Sequence, residues 1–169
     1  MIDHIEIKKK IVTKINLYCL LVISIIFFLD RYTKKKIIDL FSENSYFVNN
    51  FMNLELIMNT GIGFGLFASD SILIYNLIST LIISVICILI YLAVISDKFD
   101  KVIFSVIIGG ALGNCYDRIT LKAVPDFIDL HYLNFHWFTF NVADIFITLG
   151  IILFLLKGYF FEKKLNEKS

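Results

Sequence analysis

Charged residues are scarce in this chain of 169 residues, and so are cysteine and proline. Only 18% of the residues are charged, against about a quarter in ordinary soluble domains. Three cysteines without a C-x-x-C pair are too few for a disulfide scaffold and give no reason to expect a redox centre. The net charge of +1 supplies no basic field for nucleic acid. The hydrophobic share of 58% excludes a disordered chain.

Several motifs of enzyme chemistry are also missing. The sequence has no Walker loop and no dinucleotide fingerprint, so we expect no cofactor. Its three histidines, His4, His131 and His136, give no credible Ser-His-Asp order. They also lack the H-E-x-x-H spacing, so the sequence predicts no metal.

What the chain does have is long uncharged stretches. A membrane-spanning helix needs about 20 apolar residues, and this requirement predicts four spans in one integral membrane domain, 1–169. The approximate spans are 15–29, 71–96, 102–117 and 138–156, and the connecting outer segments are 30–70 and 118–137. We expect an all-α membrane protein in which the aromatic and glycine-containing part of the first outer segment, 46–67, forms strand.

Lysine and arginine predict the orientation of these spans. With four spans both termini lie on one side, which then carries ten basic residues against six on the other. The positive-inside rule therefore favours both termini in the cytoplasm. The first stretch is interpreted as a retained span that follows a short cytoplasmic leader, Met1 to Lys14, because no alanine for an A-x-A cleavage site precedes Ala68.

Polar residues inside the apolar stretches carry the functional information. Asp144 lies within the fourth stretch, about 9 Å from its outer end at 1.5 Å per residue, and shares a helix face with Asn141 and Thr148. An acidic residue at such a position indicates a functional role, and its side chain must face protein or water instead of lipid. The alternative is a buried Asp that serves only as a hydrogen-bonded structural group.

The third stretch ends in a similar cluster. Asn114, Asp117 and Arg118 share one helix face and follow the small residues Gly109 to Gly113, which let helices approach closely. Both polar clusters fall at a similar depth, towards the outer leaflet. For Asp117 and Arg118 the alternative is a local ion pair that anchors the end of the helix.

A second acid, Asp126, follows the only proline, Pro125. Proline fixes its own φ and holds the preceding residue in an extended conformation, so it is a good support for a side chain. Two Asp side chains brought together share one proton, which permits general acid and base catalysis on a peptide without a metal. Asp126 and Asp144 therefore predict an aspartic peptidase.

Two other classes of protein are alternatives to this aspartic peptidase. A small transporter or channel subunit with a proton-relay Asp would account for Asp144 and Arg118, but it gives no reason for a second acid after a fixed proline. An intramembrane aspartic protease of the presenilin type would need a G-x-G-D motif within a span, and the sequence has none.

Five motifs occur in order along the chain. They are Asp30-Arg-Tyr-Thr-Lys34, Asn59-Thr-Gly-Ile-Gly-Phe-Gly65, Gly109-Gly-Ala-Leu-Gly-Asn-Cys-Tyr-Asp-Arg118, Val124-Pro-Asp-Phe127 and Phe140-Asn-Val-Ala-Asp144. With four spans and this length, they resemble the lipoprotein signal peptidase, or signal peptidase II, family. The resemblance runs from about Asp30 to the end of the fourth span.

The resemblance implies an intramembrane aspartic endopeptidase of the bacterial cytoplasmic (inner) membrane, with its active site towards the outer leaflet. The family cleaves diacylglyceryl-modified prolipoproteins just before the lipid-bearing cysteine, so the implied partners are these substrates and membrane lipids, and we expect a monomer. The resemblance also implies a small extracytoplasmic β-sheet that cradles the substrate between helices 1 and 2.

Residue roles follow from the same resemblance. It implies Asp126 and Asp144 as the catalytic pair. The residues implied to line the substrate cleft are Asn59, Gly61, Asn114, Arg118 and Asn141. The residues implied to give structural support are Asp30, Lys34 and Asp117. Two small departures are Pro125, where an aliphatic residue is usual, and Gly63, where alanine is frequent.

Overall fold

The computed structural model of the chain describes residues 13–41, 45–61 and 71–166, with side chains up to residue 160. Gly63 lies outside these ranges. The described helices are α1 (Lys14–Leu40), α2 (Ile72–Ile95), α3 (Lys98–Leu121) and α4 (Val142–Asn166). The described strands are β1 (Tyr46–Asn49), β2 (Met52–Asn59), β3 (Val124–Tyr132) and β4 (Phe135–Phe140).

The four predicted spans are confirmed as four helices that are long and apolar enough to cross a membrane. In α2 the most apolar window has a mean hydropathy of 2.9, and only Ile78 and Ile86 of this helix are buried in protein. Leu89, Leu92 and Ala93 are partly buried against the core, and most of the other apolar side chains of α2 are exposed, as expected for a helix whose solvent is lipid.

Several predicted boundaries differ from the structure. Helix α3 extends beyond the predicted span 102–117 at both ends, and α4 continues past residue 156 to Asn166. The first helix continues to Leu40 instead of ending near residue 29, because the charges that follow, at Asp30 and Lys34, are buried and paired inside the protein. The outer segment 30–70 is therefore shorter than predicted. The fourth helix begins at Val142, because Phe138–Phe140 belongs to β4.

The sheet is larger than predicted. It is antiparallel, in the order β1-β2-β3-β4, and only its first two strands come from the segment between α1 and α2. The second outer segment, predicted as 118–137 without strands, begins as the end of α3 and then forms the β3–β4 hairpin. In the central pair Ile57 lies opposite Asp126 and Asn59 opposite Val124, so this register brings the end of β2 beside the start of β3.

Helix α3 lies at the centre, in contact with the other three helices, and glycines make that position possible. A Cβ on Gly109 would come within 2.9 Å of Ile26, and one on Gly110 within 2.5 Å of the Ala143 carbonyl oxygen. On Gly113 it would collide with the carboxylate of Asp30. These contacts draw α1 and α4 onto α3 at the level of the polar clusters.

The close approach of α3 and α4 can be tested at Gly110. In Gly110→Ala the new methyl group meets backbone, which cannot move aside as a side chain would, so we expect a loss of about 1–3 kcal/mol in stability. Thermal unfolding in detergent micelles measures this loss.

Gly158→Ala is the matched control, because nothing lies within 4 Å of its Cβ position. Alanine is the better helix former there, so stability should stay equal or rise slightly. Equal unfolding midpoints for the two variants would contradict the packing described for α3.

Candidate active site

Asp126 lies near the start of β3, with 2% of its surface exposed. Each of its carboxylate oxygens accepts one amide hydrogen bond, from Asn141 Nδ2 at 2.6 Å and from Asn59 Nδ2 at 2.8 Å. Burial of the carboxylate, followed by the charge of nearby Asp144, raises the pKa of Asp126 from 3.8 to about 6. Asp126 therefore takes up a proton at a higher pH than an ordinary aspartate.

Asp144 is fixed by the start of α4. The Asn141 side-chain oxygen accepts from the backbone N–H of Asp144, and an Asp144 carboxylate oxygen accepts from the backbone N–H of Asn141, both at 3.1 Å. This reciprocal pair is a capping box, in which two helix-end donors are satisfied at once. The cap determines where the Asp144 carboxylate lies, and Asn141 contacts both acids.

Three asparagine side-chain amides surround the two carboxylates. The oxygen of each amide accepts a hydrogen bond, and this bond fixes the orientation of the amide group. The oxygen of Asn141 accepts from the backbone of Asp144, and the oxygen of Asn59 accepts from the N–H of Gly61 at 2.8 Å. The oxygen of Asn114 accepts from Lys34, so its NH₂ group donates to Asp144 Oδ1 at 2.8 Å. Each NH₂ group therefore faces a carboxylate without adding charge.

The ammonium group of Lys34 is fully buried behind the site. It lies 2.7 Å from Asn114 Oδ1, 2.7 Å from Asp117 Oδ2 and 2.9 Å from Asp30 Oδ2. The ammonium can only donate, and it makes two hydrogen bonds, to Asn114 and Asp117, and an ion pair with Asp30. Lys34 thus joins the C-terminal part of α1 to the C-terminal end of α3.

The two acids beside Lys34 have further partners. Asp30 Oδ1 accepts from the backbone N–H of Ala143 at 3.0 Å, at the start of α4. Asp117 pairs with Arg31 as well as with Lys34. The carboxylates therefore link α1, α3 and α4, and a buried charge pair of this kind needs such additional hydrogen bonds to be tolerated.

Arg118 closes the opposite edge of the site. Its guanidinium donates to the carbonyl oxygen of Gly61 at 2.6 Å and to that of Asn114 at 3.2 Å. The hydroxyl of Tyr75, on α2, donates to the carbonyl oxygen of Arg118 at 2.7 Å. These contacts hold the segment after β2 against the end of α3, and they replace the local ion pair with Asp117 that was the sequence-based alternative.

An apolar groove of about 360 Å³ opens beside Asp144. Phe140 and Leu130 of the sheet line one side of it, and Ile145, Thr148 and Leu149 of α4 line the other. Asp144 is 9% exposed and is the charged residue of this lining. A carboxylate in the wall of an apolar groove can meet a substrate that arrives from the lipid.

The structure brings the predicted residues together in one network. Asn59, Asn114 and Asn141 contact the acids directly, Gly61 and Arg118 lie at one edge, and Asp30, Lys34 and Asp117 lie behind. Sequence reasoning missed two contributors. Arg31 was counted only as a loop charge, although it is three residues from Lys34 and shares its helix face. Tyr75 carries no signal in the sequence that separates it from an ordinary interfacial tyrosine.

The chain is similar over most of its length to known proteins. The family model described as "Signal peptidase (SPase) II" matches residues 22–160. The chain is similar to the lipoprotein signal peptidase of Pelagibacter ubique (strain HTCC1062), with 47% identity over 89% of this chain and 93% of that protein. It is 37% identical to the lipoprotein signal peptidase of Francisella tularensis subsp. novicida (strain U112), over 69% of this chain and 75% of that protein.

A solved structure described as a bacterial membrane enzyme, at 2.3 Å resolution, superposes with a TM-score of 0.74. Its identity is 26%, and the match covers 90% of this chain and 92% of that one. Because the family model covers most of the chain and a relative of nearly equal length is 47% identical, the protein belongs to the signal peptidase II family and is a membrane peptidase.

Proposed function

We propose that this protein is an intramembrane aspartic endopeptidase that removes the signal peptide from diacylglyceryl-modified prolipoproteins, cleaving just before the lipidated cysteine. The observation that carries the proposal is the shared contact with Asn141. Asp126 accepts from the Asn141 side chain and Asp144 from its backbone N–H, so two acids from separate elements meet at one residue. A transporter with a single relay acid would not need the second one.

Charge balance supports a pair that holds one proton. The network contains three cations and four carboxyl groups: Arg31, Lys34, Arg118, Asp30, Asp117, Asp126 and Asp144. One proton shared by Asp126 and Asp144 makes this set neutral, which a buried site favours. The raised pKa of Asp126 agrees with a proton on that residue.

The chemistry follows from this protonation state. The ionised carboxylate removes a proton from a water molecule, whose oxygen attacks the scissile carbonyl carbon, while the protonated carboxyl gives its proton to the carbonyl oxygen. A neutral gem-diol forms. Its collapse breaks the C–N bond. The carboxyl that received the water proton passes it to the leaving amine, while the other carboxylate takes back a proton from a hydroxyl of the gem-diol, which becomes the carboxyl group of the product. The pair ends with one proton, as it began, and the protons belong to the pair, not to one residue.

The apolar groove beside Asp144 explains how such a substrate is held. A diacylglyceryl group keeps the peptide at the membrane surface, and burial of its acyl chains contributes about 0.8 kcal/mol per CH₂ group. We place the site near the outer leaflet of the bacterial cytoplasmic membrane, with both termini in the cytoplasm. Asn59, Asn114, Asn141, Gly61 and Arg118 would then orient the peptide and the two carboxylates.

Replacement of either acid tests the catalytic pair. We expect Asp126→Asn and Asp144→Asn each to lower processing of a lipidated prolipoprotein by at least about 10²-fold, because each removes one partner of the acid–base pair. Gel-shift assays of precursor and mature forms in membranes measure this.

Asp39→Asn removes an exposed acid from the same outer end of α1 and is the control. It should process the substrate normally. Normal processing by Asp126→Asn or Asp144→Asn, with the protein inserted, would rule out the pair while leaving the family membership untouched.

The coupling of the two acids gives a second test. In Asp144→Asn the like charge beside Asp126 is gone, so the pKa of Asp126 should fall from about 6 but stay above 3.8, because burial remains. Carbon-13 NMR of aspartate-labelled protein in micelles follows the titration. An unchanged or higher pKa in this variant would mean that the carboxylates do not interact.

Asp117 is proposed as a structural group, so its loss should affect folding more than chemistry. In Asp117→Asn, Arg31 and Lys34 lose a negatively charged partner. Leaving a buried hydrogen-bonding group unsatisfied lowers the free energy of unfolding by about 1–3 kcal/mol. The yield of inserted protein should drop several-fold, while activity per folded molecule falls much less.

Asp97→Asn is the matched control, since the Asp97 side chain is 61% exposed and pairs with Lys157 at the surface. Such pairs contribute little, so its yield should match the wild type. Full yield of Asp117→Asn with no activity would instead place Asp117 in the catalytic machinery.

A further inference from the structure

A second polar cluster lies on the sheet, apart from the two catalytic acids. His136 Nδ1 is 2.7 Å from Asp129 Oδ2, and His131 Nδ1 is 3.7 Å from the same oxygen. The two imidazole rings stack with their centroids 5.2 Å apart. One ligand atom from each of the three side chains lies within 4.8 Å of the others.

Strand register creates this cluster. His131 on β3 lies directly opposite His136 on β4. Asp129 precedes His131 by two residues, and the register of β3 and β4 shifts between them. On the other side of β3, Asn53 of β2 lies opposite Asp129. The four side chains therefore come from three neighbouring strands, which is why no spacing along the chain resembles a metal-binding motif.

Two atoms of the cluster are buried without a hydrogen bond. They are Nδ1 of His131, whose side chain is only 9% exposed, and Oδ1 of Asn53. Buried polar atoms in native proteins are nearly always paired, so each such atom needs an explanation. His131 Nδ1 lies 3.7 Å from Asp129 Oδ2, so a cation bound to that carboxylate would satisfy this nitrogen. Asn53 turns its NH₂ group towards the same oxygen, at 3.5 Å.

We propose that Asp129, His131 and His136 form a structural binding site for a divalent transition-metal ion of the zinc type. Two imidazole nitrogens and one carboxylate oxygen are ligands that Zn²⁺ accepts in tetrahedral sites, and a water molecule completes the fourth position. Tetrahedral bonds of about 2.0–2.2 Å place two ligand atoms about 3.3–3.5 Å apart. The 2.7 Å contact of His136 with Asp129 would therefore widen by about 0.6–0.8 Å, and the 3.7 Å separation of His131 from Asp129 would shorten slightly.

An ion can reach the site from solvent, and its binding would make the sheet more rigid. The His136 side chain is 54% exposed, so an ion can reach it from solvent. A bound ion would fasten β3 to β4, because Asp129 and His131 lie on β3 and His136 lies on β4. Because Asp126 lies on β3 only three residues before Asp129, the ion would stiffen the strand that presents this acid. The ion takes no part in peptide hydrolysis, so the inference does not depend on the proposed function.

Calorimetric titration with zinc chloride tests the site. The full chain, purified in detergent with an affinity tag free of histidine and stripped of metal by a chelator, should bind one Zn²⁺ per molecule with a micromolar or lower Kd. Zn²⁺ should also raise its thermal unfolding midpoint, because the ion binds the folded chain preferentially. The double variant His131→Ala/His136→Ala should bind at least 100-fold more weakly.

His136→Gln guards against misfolding of the double variant, because more than half of this side chain is exposed, and it should bind at least 10-fold more weakly than the wild type. Trp137→Phe is the matched control, an exposed neighbour on β4 that should keep wild-type affinity. No saturable binding to the wild type, or equal affinity in His136→Gln, would overturn the proposal. Equal binding by the double variant would assign the ion to another part of the chain.

Discussion

The contact of the Lys34 ammonium with three buried oxygens is the constraint on which the site depends. Lys34 can only donate, so the Asn114 amide must turn its oxygen towards Lys34 and its NH₂ group towards Asp144. The same ammonium holds Asp30 and Asp117 in place, and Asp30 in turn accepts from the start of α4. One buried charge thereby sets the orientation of the Asn114 side chain at Asp144 and the position of α4, the helix that bears Asp144.

Close helix packing is what allows this arrangement inside a membrane protein. Without Gly113, α3 could not approach the Asp30 carboxylate, and without Gly110 it could not approach the first turn of α4. Lipid gives little hydrophobic driving force for helix association. Close packing at small residues and hydrogen bonds between polar groups stabilise the association instead. Charges that would be costly in lipid are tolerated because each faces a partner within the protein.

The sequence predicts this site well where its residues lie on one helix. The spacing of Asn141 and Asp144 places them on a single face, and the structure turns that spacing into a capping box. The lengths of the helices were harder to predict, because charged residues such as Asp30 and Lys34 normally mark the end of a span. Here both side chains are buried, and α1 continues past them. Local pattern cannot reveal that a charge has a distant partner.

Contacts between strands were the part that the sequence could not predict. The register of β2 and β3 contains an irregularity between Leu54 and Ile57, so the approach of Asn59 to Asp126 does not follow from counting residues. The β3–β4 hairpin went unpredicted, and with it the meeting of His131 and His136. Sequence reasoning judged these histidines by helical spacing, whereas their proximity arises across a strand pair.

A crystal structure with a bound peptide analogue tests the central claim most directly. The analogue would carry a diacylglyceryl group and a secondary hydroxyl in place of the scissile carbonyl, as a mimic of the gem-diol. The account predicts that this hydroxyl lies about 2.5–3.0 Å from one carboxylate oxygen of Asp126 and from one of Asp144. A hydroxyl bound by only one of the two acids, with the other too distant to share a water molecule, would contradict it.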